Sequence, residues 1–353
     1  MKITVLYFPG DICTMYTMYP LLKSKYRRLF DCTPDMDEAL RLNNKIIFVM
    51  RFFRRELSDQ ATQAYFERLR QKYDKVIYFE DTPDPRRIMT NTIDYVDIYY
   101  KKSMLKDLEL YKKEYYSETV YGDYYHRNYG VRDAHETVSK PLTDAQIGKL
   151  KLAWNIGIGQ YPKTRINRAI CTRLGDAELL DAMSLFLTHP KRYRAKNERT
   201  SLVCPMRFRA DEEPKTLNYN RVLFSEIAKT RPELFAFGNL KLTEYNQELR
   251  NSKLTFASYG LGEICFRDFE AIINFSLMLK PDMDHLMTWP DVYRKDITYV
   301  PLKWDGSDFI EKIERWRDAD ETQLTKNAYD CYIDSFNQFE SRLAMVLDQV
   351  YSV

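Results

Sequence analysis

Short hydrophobic runs alternate with longer segments of helical periodicity along the whole of this 353-residue chain. The runs are rich in β-branched and aromatic residues, which favour strands. Strand–helix–strand alternation predicts parallel strands joined by crossover helices, because parallel neighbours need a long connection between them. The fold class expected from this pattern is α/β. At about 150 residues per domain, the length predicts two domains, each with its own core.

The first half of the chain alternates predicted strands with predicted helices. Strands are expected at Lys2–Phe8, Lys45–Met50, Lys75–Phe79, Val96–Tyr99 and Leu152–Ile156. Helices are expected between them at Asp35–Leu42, Ser58–Tyr73 and Ser103–Tyr111. The Tyr-dense stretch over Tyr121–Gly130 is expected to be a loop.

The second half repeats the alternation. Strands are expected at Ser201–Pro205, Leu234–Phe237, Lys253–Ala257, Leu277–Lys280 and Ile297–Val300. Helices are expected at Asn218–Lys229, Thr243–Arg250, Ile264–Asn274, Asp308–Arg317 and Glu321–Val350, the last broken near Asn337. The polar, basic, Pro-containing connector at about 188–200 is the predicted domain boundary. The first domain is therefore expected to span residues 1–190 and the second to span 191–336.

The charges nearly cancel, with 54 basic and 51 acidic residues and a formal net charge of +3. A near-zero total argues against a dedicated nucleic-acid-binding protein, which would carry a basic field. Residues 1–200 nevertheless hold nine more basic than acidic residues, and residues 201–353 hold six fewer basic than acidic residues. Two explanations stay open: contact of the basic part with phosphates or an anionic membrane surface, and a random scatter of charge.

Several classes of protein are disfavoured by what the sequence lacks. The six cysteines form no CxxC pair and are expected to be reduced thiols. The first residues form a strand-like run rather than a signal peptide, and no apolar stretch approaches the length of a membrane span, so a cytoplasmic location is expected. The absence of HExxH, GxSxG and Walker motifs argues against zinc-enzyme, serine-hydrolase and P-loop chemistry.

Glycine is scarce, with 11 residues in 353, or about 3% against a usual ~7%. Four of the eleven form two Gly-x-Gly pairs, 157/159 and 260/262, each beside a predicted strand. Glycine lets the backbone approach a ligand closely, and a helix N-terminus after such a turn favours a phosphate. The helix after the second pair carries Glu263, Arg267 and Glu270. The alternative is an ordinary capped helix with an exposed Arg–Glu pair.

The stretch that begins at Gly260 resembles a known family. Its motifs are Gly260-x-Gly-Glu, Arg267-Asp-Phe-Glu-Ala, Leu279-Lys-Pro-Asp-Met-Asp-His-Leu and Tyr299-Val-Pro-Leu-Lys-Trp-Asp. Together they resemble the nucleotide-sugar domain of GT-B glycosyltransferases, above all exostosin-like and bacterial surface-polysaccharide transferases. The resemblance covers residues 200–325 and is weak over 1–190. It implies two Rossmann-like domains that face a central cleft, with a C-terminal helix over 337–353 returning to the first domain.

The resemblance implies that the second domain binds the donor. Arg267, with Gly262 and Glu263, would lie beside the diphosphate, and Gly260 belongs to the same donor-binding turn. Glu270 would contact the ribose or the sugar. Arg207 and Arg209 would add positive charge for the phosphates. The nucleotide or sugar pocket would be lined by Lys280, Pro281, Asp282 and His285.

The catalytic residues are expected to be Asp11 and Glu263. Retaining members of the family often carry two glutamates separated by seven residues, whereas Glu263 and Glu270 are separated by six. This departure puts a retaining mechanism in doubt and favours an inverting displacement. An inverting enzyme needs a general base near the acceptor hydroxyl. Asp11 is the leading candidate, and a plain turn residue after Pro-Gly is its alternative.

Acceptor contacts are expected from Asp123 and His126 in the Tyr-dense stretch and from Asn155 beside the first Gly-x-Gly pair. Tyrosine rings suit stacking on sugar faces, while a packed aromatic loop and a tight turn are the alternatives. An anionic acceptor or a membrane surface would suit the basic run at Arg51, Arg54 and Arg55; a solvated loop is the alternative there.

These inferences predict a glycosyltransferase that moves a sugar from a nucleotide-diphosphate donor to a hydroxyl of a glycan or glycolipid, of the surface-polysaccharide or lipopolysaccharide type. No cofactor and no metal are expected. Asp282-Met-Asp284 resembles a metal motif of another transferase fold, whereas arginines and a helix N-terminus hold the diphosphate in GT-B proteins. Nucleic acid is not an expected partner, and contact with the inner face of a membrane is an open alternative.

Two other functions stay open. One is a catalytically inactive GT-B-like protein that binds a glycan or a nucleotide. The other is an NAD-type Rossmann enzyme, which would need a GxGxxG motif after the first strand. Pro9-Gly10-Asp11 does not supply that motif.

Overall fold

Parallel strands covered by helices build both halves of the protein. The computed structural model describes residues 1–9, 17–50, 58–80, 82, 84–158, 165–187, 201–209, 214–260 and 262–353. The parallel pairings confirm the α/β class predicted from the sequence.

The first half contributes one large sheet. Its strands are β1 Ile3–Tyr7, β2 Phe30–Thr33, β3 Ile46–Met50, β4 Lys75–Phe79, β5 Ile98–Lys101, β6 Ser103–Leu105 and β7 Leu150–Leu152. Its helices are α1 Tyr19–Lys23, α2 Met36–Arg41, α3 Asp59–Lys72, α4 Thr90–Ile93, α5 Val120–Tyr129, α6 Asp144–Lys149, α7 Arg165–Asp176 and α8 Leu180–Ser184. Within the described residues, the sheet is six-stranded in the order β2-β1-β3-β4-β5-β7, and every pair is parallel.

The second half contributes a smaller parallel sheet. Its strands are β8 Cys204–Pro205, β9 Phe235–Ala236, β10 Leu254–Phe256, β11 Leu277–Pro281, β12 Leu286–Thr288 and β13 Val300–Leu302. Its helices are α9 Lys215–Lys229, α10 Leu242–Asn251, α11 Phe266–Ile273, α12 Phe309–Asp318, α13 Thr322–Asn337 and α14 Phe339–Ser352. A bridge between Ser201 and Ser252 joins the β8-β9 pair to β10-β11-β13.

Both sheets have the doubly wound order. The first reads β2-β1-β3-β4-β5, and the second reads β9-β8-β10-β11-β13. In such sheets the strand order reverses between the first and third strands, and ligands bind beyond the carboxyl ends of the strands. Residues 10–16 after β1 and 51–57 after β3 are not described, so Asp11 and the arginines at 51, 54 and 55 lie outside the described residues.

Most predicted elements are confirmed within a few residues, including the break near Asn337. The helix predicted over Ser103–Tyr111 is wrong, because its first residues form β6 and a short 3-10 helix follows at Leu108–Lys112. The strand predicted over Leu152–Ile156 is also wrong, since β7 ends at Leu152 and Ile156–Ile158 form a 3-10 turn. β6 is stabilised by pairing with β12 of the other half, a contact that local sequence does not show.

The Tyr-dense stretch is a helix rather than the expected loop. Thr119 caps α5 by accepting a hydrogen bond from the backbone amide of Gly122, and Gly130 ends it at a φ of 66°. This is the usual pairing of a threonine N-cap with a left-handed glycine at the end. Tyr121 and Tyr125 are fully buried on the inner face of the helix.

The two halves are joined by direct contacts. β6 pairs antiparallel with β12, with Leu105 opposite Leu286. Helix α5 packs on α9, and the Asp133 carboxylate accepts hydrogen bonds from the amide and the hydroxyl of Thr216, at 2.8 and 2.7 Å. One hydrophobic core runs through both halves and contains Tyr99, Tyr121, Leu217 and Tyr259. The strand ends of the two sheets are therefore held against each other.

The last helix crosses to the first sheet. Leu343 and Val346 of α14 belong to the core that also contains β1 and β3. The Lys75 side chain donates to the Val350 carbonyl at 2.9 Å, and Arg342 Nε donates to the Ala153 carbonyl at 2.9 Å. Among the described residues, no helix combines the length and apolar character needed to span a bilayer.

Gly157 provides a test of the packing between the halves. A Cβ atom there would lie 2.3 to 2.8 Å from ring atoms of Phe269 in α11, whereas a Cβ on Gly148 in α6 would meet nothing within 4 Å. We expect Gly157→Ala to lower the free energy of unfolding by about 1–3 kcal/mol through overpacking. Gly148→Ala is the matched control and should raise it by up to about 1 kcal/mol through helix propensity. Urea denaturation measures both, and equal stability of the two variants would contradict the packing.

Candidate functional site

The candidate site lies where the carboxyl ends of β4, β5, β10 and β11 meet. Glu80 and Asp84 follow β4, and Lys101 ends β5. Glu263 follows β10, and Lys280 lies in β11. All five side chains are buried. Carboxylates and ammonium groups are rarely buried unless they are paired, so each needs a partner.

Both buried lysines form ion pairs within their own half of the chain. Lys101 Nζ contacts the Glu80 carboxylate and donates to the Arg87 carbonyl at 2.5 Å. Lys280 Nζ lies 3.0 Å from Asp268 Oδ1, and both of these side chains are fully buried. These pairs neutralise the lysines where they are removed from water.

Asp84 and Glu263 are different, because each retains a buried oxygen without a donor. Asp84 Oδ1 accepts from the amides of Arg86 at 2.7 Å and Arg87 at 3.1 Å. Glu263 Oε1 lies 3.2 Å from Nε2 of His285. Within the described residues, Asp84 Oδ2 and Glu263 Oε2 have no hydrogen-bond donor.

Burial sets the protonation of this cluster. It raises the pKa of Glu263 from 4.5 to about 7. Burial and the neighbouring Glu263 raise the pKa of Asp84 well above its usual range. Burial lowers the pKa of His285 to about 4, so the imidazole is neutral at neutral pH. The ring of His285 also packs against Trp304, with 5.2 Å between ring centroids.

The Gly260–Gly262 turn adjoins this cluster. The Gly260 amide donates to the Gly262 carbonyl at 2.9 Å, and the Gly260 carbonyl accepts from the Tyr121 hydroxyl at 3.2 Å. A Cβ atom on Gly260 would lie 3.1 Å from Nη2 of Arg221. A Cβ here would require the Arg221 guanidinium to shift by a few tenths of an ångström, so glycine allows that guanidinium to lie close to the backbone.

Two arginines flank the same aromatic ring beside this turn. The guanidinium of Arg221 lies 6.0 Å from the Phe208 ring centroid and that of Arg267 lies 5.7 Å from it. Arg221 Nε donates to the Tyr259 carbonyl at 2.9 Å, and Arg267 donates to the Arg207 carbonyl. Neither is in an ion pair with a carboxylate of the described part of the chain. Two neighbouring cations that have no carboxylate partner among the described residues favour an anion.

The start of α11 is already capped. The Cys265 amide donates to Asp268 Oδ2 at 3.0 Å, and the Cys265 side chain accepts from the amide three residues on. This capping box occupies part of the helix N-terminus that the sequence predicts as a phosphate site. The positive charge for an anion would therefore come mainly from Arg221 and Arg267.

Several of the predicted donor residues have partners within the fold. Arg207 forms a two-bond ion pair with Glu248, at 3.0 and 2.5 Å. Glu270 accepts from the Tyr245 hydroxyl at 2.7 Å. Arg209 is exposed, and its carbonyl accepts from Arg221 at 3.3 Å.

Asp282 and Asp284 share one lysine. Their carboxylates lie 2.7 and 3.2 Å from Lys295 Nζ, and Asp284 also lies 2.8 Å from Lys106. Across the described residues, no group of three or more His, Cys, Asp or Glu side chains could hold a metal ion.

The predicted acceptor residues also have partners within the fold. Asp123 accepts from the Tyr116 amide at 3.0 Å and pairs with Arg127 at 2.7 Å. The His126 ring stacks on Tyr116 with 3.8 Å between centroids. Asn155 is fully buried and donates to the Thr288 hydroxyl at 2.6 Å and the Pro290 carbonyl at 3.0 Å. Asn155 thus holds the two halves together and is not accessible to an acceptor.

Sequence reasoning missed Asp84 and Arg221. Asp84 follows β4 in Asp81-Thr-Pro-Asp-Pro, which is typical of a turn. Arg221 lies in the middle of α9 among other polar residues. The sequence feature that could have indicated Asp84 is its position. Asp84 follows the carboxyl end of a strand of the first sheet, and ligands of α/β sheets bind beyond the carboxyl ends of the strands.

No family model and no curated protein matches the chain. Among solved structures, it is similar to Anabaena HepE in complex with UDP, with 9% identity, a TM-score of 0.49 and coverage of 99% of this chain and 100% of that one. It is similar to a glycosyltransferase from Rickettsia africae, with 8% identity, a TM-score of 0.48 and coverage of 99% of both chains.

A third similar structure is WaaG, a glycosyltransferase involved in lipopolysaccharide biosynthesis. It shares 12% identity with the chain at a TM-score of 0.39, over 98% of this chain and 99% of that one.

The raised pKa of Glu263 predicts a pH dependence of stability. A carboxyl that binds its proton more tightly in the folded state stabilises the fold at low pH, and that stabilisation is lost as pH rises from about 4.5 to about 7. Glu263→Gln has no ionisable carboxyl at this position, so the variant does not lose this stability as pH rises. We expect the variant to match the wild type near pH 4.5 and to exceed it by on the order of 2 kcal/mol at pH 7.5.

Denaturation at a series of pH values measures this difference. Glu226→Gln, on an exposed position of α9, is the control and should follow the wild type throughout. Parallel curves for the wild type and Glu263→Gln would show that Glu263 titrates normally.

Proposed function

We propose that this protein is a GT-B glycosyltransferase that transfers a sugar from a nucleotide-diphosphate donor. The observation that carries the proposal is the pair of guanidiniums, Arg221 and Arg267, that flank Phe208 beside the Gly260–Gly262 turn. The turn lies where the strand ends of two doubly wound sheets meet. That edge is where such sheets bind nucleotides.

The two arginines suit a diphosphate. Guanidinium groups form charge-assisted, often two-bond contacts with phosphate oxygens. In sugar transfer, negative charge grows on the diphosphate as its bond to the sugar breaks, and fixed cations stabilise that change. Arg221 and Arg267 would provide this stabilisation without a metal ion, so metal-independent transfer is part of the proposal.

The acid–base part of the reaction is assigned to Glu263. A group that accepts a proton during catalysis works best with a pKa near the working pH, and burial raises the pKa of Glu263 to about 7. Inverting displacement remains the proposed stereochemical course, with the rate coming mostly from positioning and charge neutralisation. Asp11, outside the described residues, stays a predicted second base.

The proposed acceptor is a hydroxyl of a glycan or glycolipid of the surface-polysaccharide or lipopolysaccharide type. Among the similar structures, HepE is in complex with UDP and WaaG is involved in lipopolysaccharide biosynthesis. The basic surplus of residues 1–200 supports a site of action at the inner face of an anionic membrane.

A second candidate is favoured by one observation. Glu263 is fully buried, which suits a GT-B-like protein that binds a nucleotide or a glycan without turnover. Incubation with a panel of nucleotide sugars and candidate acceptors separates the two. Product, or slow donor hydrolysis, supports the enzyme, and saturable binding without turnover of any donor supports the binding protein.

Donor binding provides the direct test of the arginines. We expect Arg221→Ala and Arg267→Ala each to raise the Kd for a nucleoside diphosphate by tenfold to a hundredfold, because each removes a charge-assisted contact of about 1.5–3 kcal/mol. Calorimetric titration with UDP, GDP and ADP measures this effect. Arg231→Ala is the matched control, since Arg231 pairs with Glu233 and Glu314 on the surface and should leave the Kd unchanged. If the wild type and all three variants bind the nucleoside diphosphates with equal affinity, neither Arg221 nor Arg267 contacts the diphosphate.

A further inference from the structure

Four aromatic side chains form a partly exposed surface at the junction of the two halves. Tyr124 and Tyr129 lie on α5 of the first half, Tyr219 lies on α9 of the second half, and Trp304 follows β13. The Tyr124 ring packs against the Trp304 ring with 5.2 Å between centroids, and the Tyr129 ring packs against the Tyr219 ring with 5.2 Å between centroids. We call these four side chains the aromatic patch.

The aromatic patch is supported from beneath by Tyr125. This side chain is fully buried, and its ring centroid lies 5.2 Å from that of Tyr124 and 5.3 Å from that of Tyr219. Its hydroxyl donates to the Trp304 carbonyl at 2.9 Å and accepts from Asn220 Nδ2 at 2.8 Å. The rings are therefore fixed in place before a ligand arrives, which lowers the entropy cost of binding.

The tyrosines of the aromatic patch combine an apolar ring with an available hydroxyl. Tyr129 is 38% exposed, and the other three side chains are half-buried. Within the described residues, the hydroxyls of Tyr124, Tyr129 and Tyr219 have no hydrogen-bond partner and are not buried. Burial of the rings raises the pKa of all three phenols, so each hydroxyl keeps its proton. Each can both donate and accept a hydrogen bond.

This combination suits a carbohydrate. A sugar ring presents C–H groups on its faces, which pack on aromatic rings, and hydroxyls on its rim, which exchange hydrogen bonds with phenols. A phosphate group would need cations, and none of the four side chains is one.

The aromatic patch is smaller than a protein partner needs. A protein–protein interface of standard size buries about 800 Å² on each partner. In the described parts of α5 and α9, Tyr129 is the only large hydrophobic side chain in the exposed class. The exposed residues that precede it, Arg127 and Asn128, are polar. A chain of sugar rings is narrow enough for such a surface.

One end of the aromatic patch adjoins the candidate acid–base residue. The Trp304 ring lies 5.2 Å from the His285 ring, between centroids, and Nε2 of His285 lies 3.2 Å from Glu263 Oε1. Trp304 therefore lies between the exposed tyrosines and the candidate site.

The patch is also connected to the arginines of the candidate donor site. Asn220, which donates to the Tyr125 hydroxyl, accepts from the Tyr259 amide at 3.2 Å. The Tyr259 carbonyl in turn accepts from Arg221 Nε at 2.9 Å. A ligand on the patch would thus lie near a diphosphate held by Arg221, as an acceptor must.

We propose that the aromatic patch binds the sugar chain of the acceptor, an inference that rests on the proposed transfer reaction. Tyr129 and Tyr219 bind the outer part of the chain, and Trp304 lies towards the end that reacts. Since α5 belongs to the first half and the other rings to the second, the acceptor is recognised by both halves at once.

The first test measures binding without turnover. Saturation-transfer NMR with the full chain is run on maltohexaose, cellohexaose, laminarihexaose, mannohexaose and chitohexaose, which differ in sugar and linkage. We expect at least one of them to bind. Tyr129→Ala and Tyr219→Ala should each raise its Kd by about threefold to tenfold, because each removes one ring from the contact.

Two further variants serve as controls for this binding. Tyr129→Phe keeps the ring and should retain most of the affinity. Tyr351→Ala removes a tyrosine of similar exposure, 42%, from α14, and it should bind the oligosaccharide as the wild type does.

The second test separates acceptor binding from a general loss of structure. With a nucleotide sugar and an acceptor that react, Tyr129→Ala should raise the KM for the acceptor by about threefold to tenfold. The KM for the donor and kcat should stay within about twofold of the wild type, whereas a damaged fold would change all three.

The outcomes separate this inference from the proposed function. The inference is wrong if none of the five oligosaccharides binds, or if Tyr129→Ala and Tyr219→Ala bind as tightly as the wild type; transfer observed in the same preparation would leave the proposed function standing. Binding that depends on both tyrosines, with no turnover of any donor, keeps the glycan-binding surface and overturns the transfer reaction.

Two other results would assign the aromatic patch to a different partner and so overturn the inference. If Tyr129→Ala raises the Kd for UDP instead, the rings stack on the base of the donor. If the wild type dimerises in analytical ultracentrifugation and Tyr129→Ala does not, the patch is an interface between two copies of the chain. Should Tyr219→Ala not fold, Tyr129→Ala and Tyr129→Phe decide.

Discussion

Contact between the strand ends of the two sheets is the constraint on which the rest of this structure depends. The β6–β12 pairing and the shared core hold the halves together, and this removes the groups at the strand ends from water. Burial is tolerated because Lys101 and Lys280 each have a carboxylate partner. Asp84 and Glu263 have no such cation partner among the described residues, and burial raises the pKa of both carboxyls. The same burial that stabilises the junction therefore gives the site its acid–base character.

The positive charge of the candidate donor site is local. The second half of the chain is acidic overall, so its net field does not attract an anion. Arg221 and Arg267 supply charge at one place, held by carbonyl groups of Tyr259 and Arg207 and by the Phe208 ring. Most other predicted donor residues are engaged within the fold. Within the described part of the chain, the candidate site is thus marked by two arginines that have no carboxylate partner.

Local features of the fold and the site could be predicted from sequence, and contacts between distant segments could not. Strand–helix alternation predicts the α/β class, and the Gly260–Gly262 turn with its helix predicts Glu263 as a candidate site residue, because both patterns are contiguous. β6 was predicted as a helix, since its strand form depends on β12. Asp84 and Arg221 were missed for the same reason: each gains its role from a partner in a distant part of the chain. Asp123 and Asn155 show the converse case. Both are polar residues at positions that suggest ligand binding from sequence, and in the structure their side chains form hydrogen bonds that hold the fold together.

The most direct test of the central claim is a crystal structure of the protein with a bound nucleoside diphosphate. The account predicts the diphosphate beside the Gly260–Gly262 turn, with its oxygens within hydrogen-bond distance of Arg221 and Arg267. A groove of about 520 Å³ lined by residues such as Trp289, Asp291 and Asp334 lies elsewhere on the protein. A nucleotide bound in that groove, or one bound at the turn without contact to either arginine, would contradict the account.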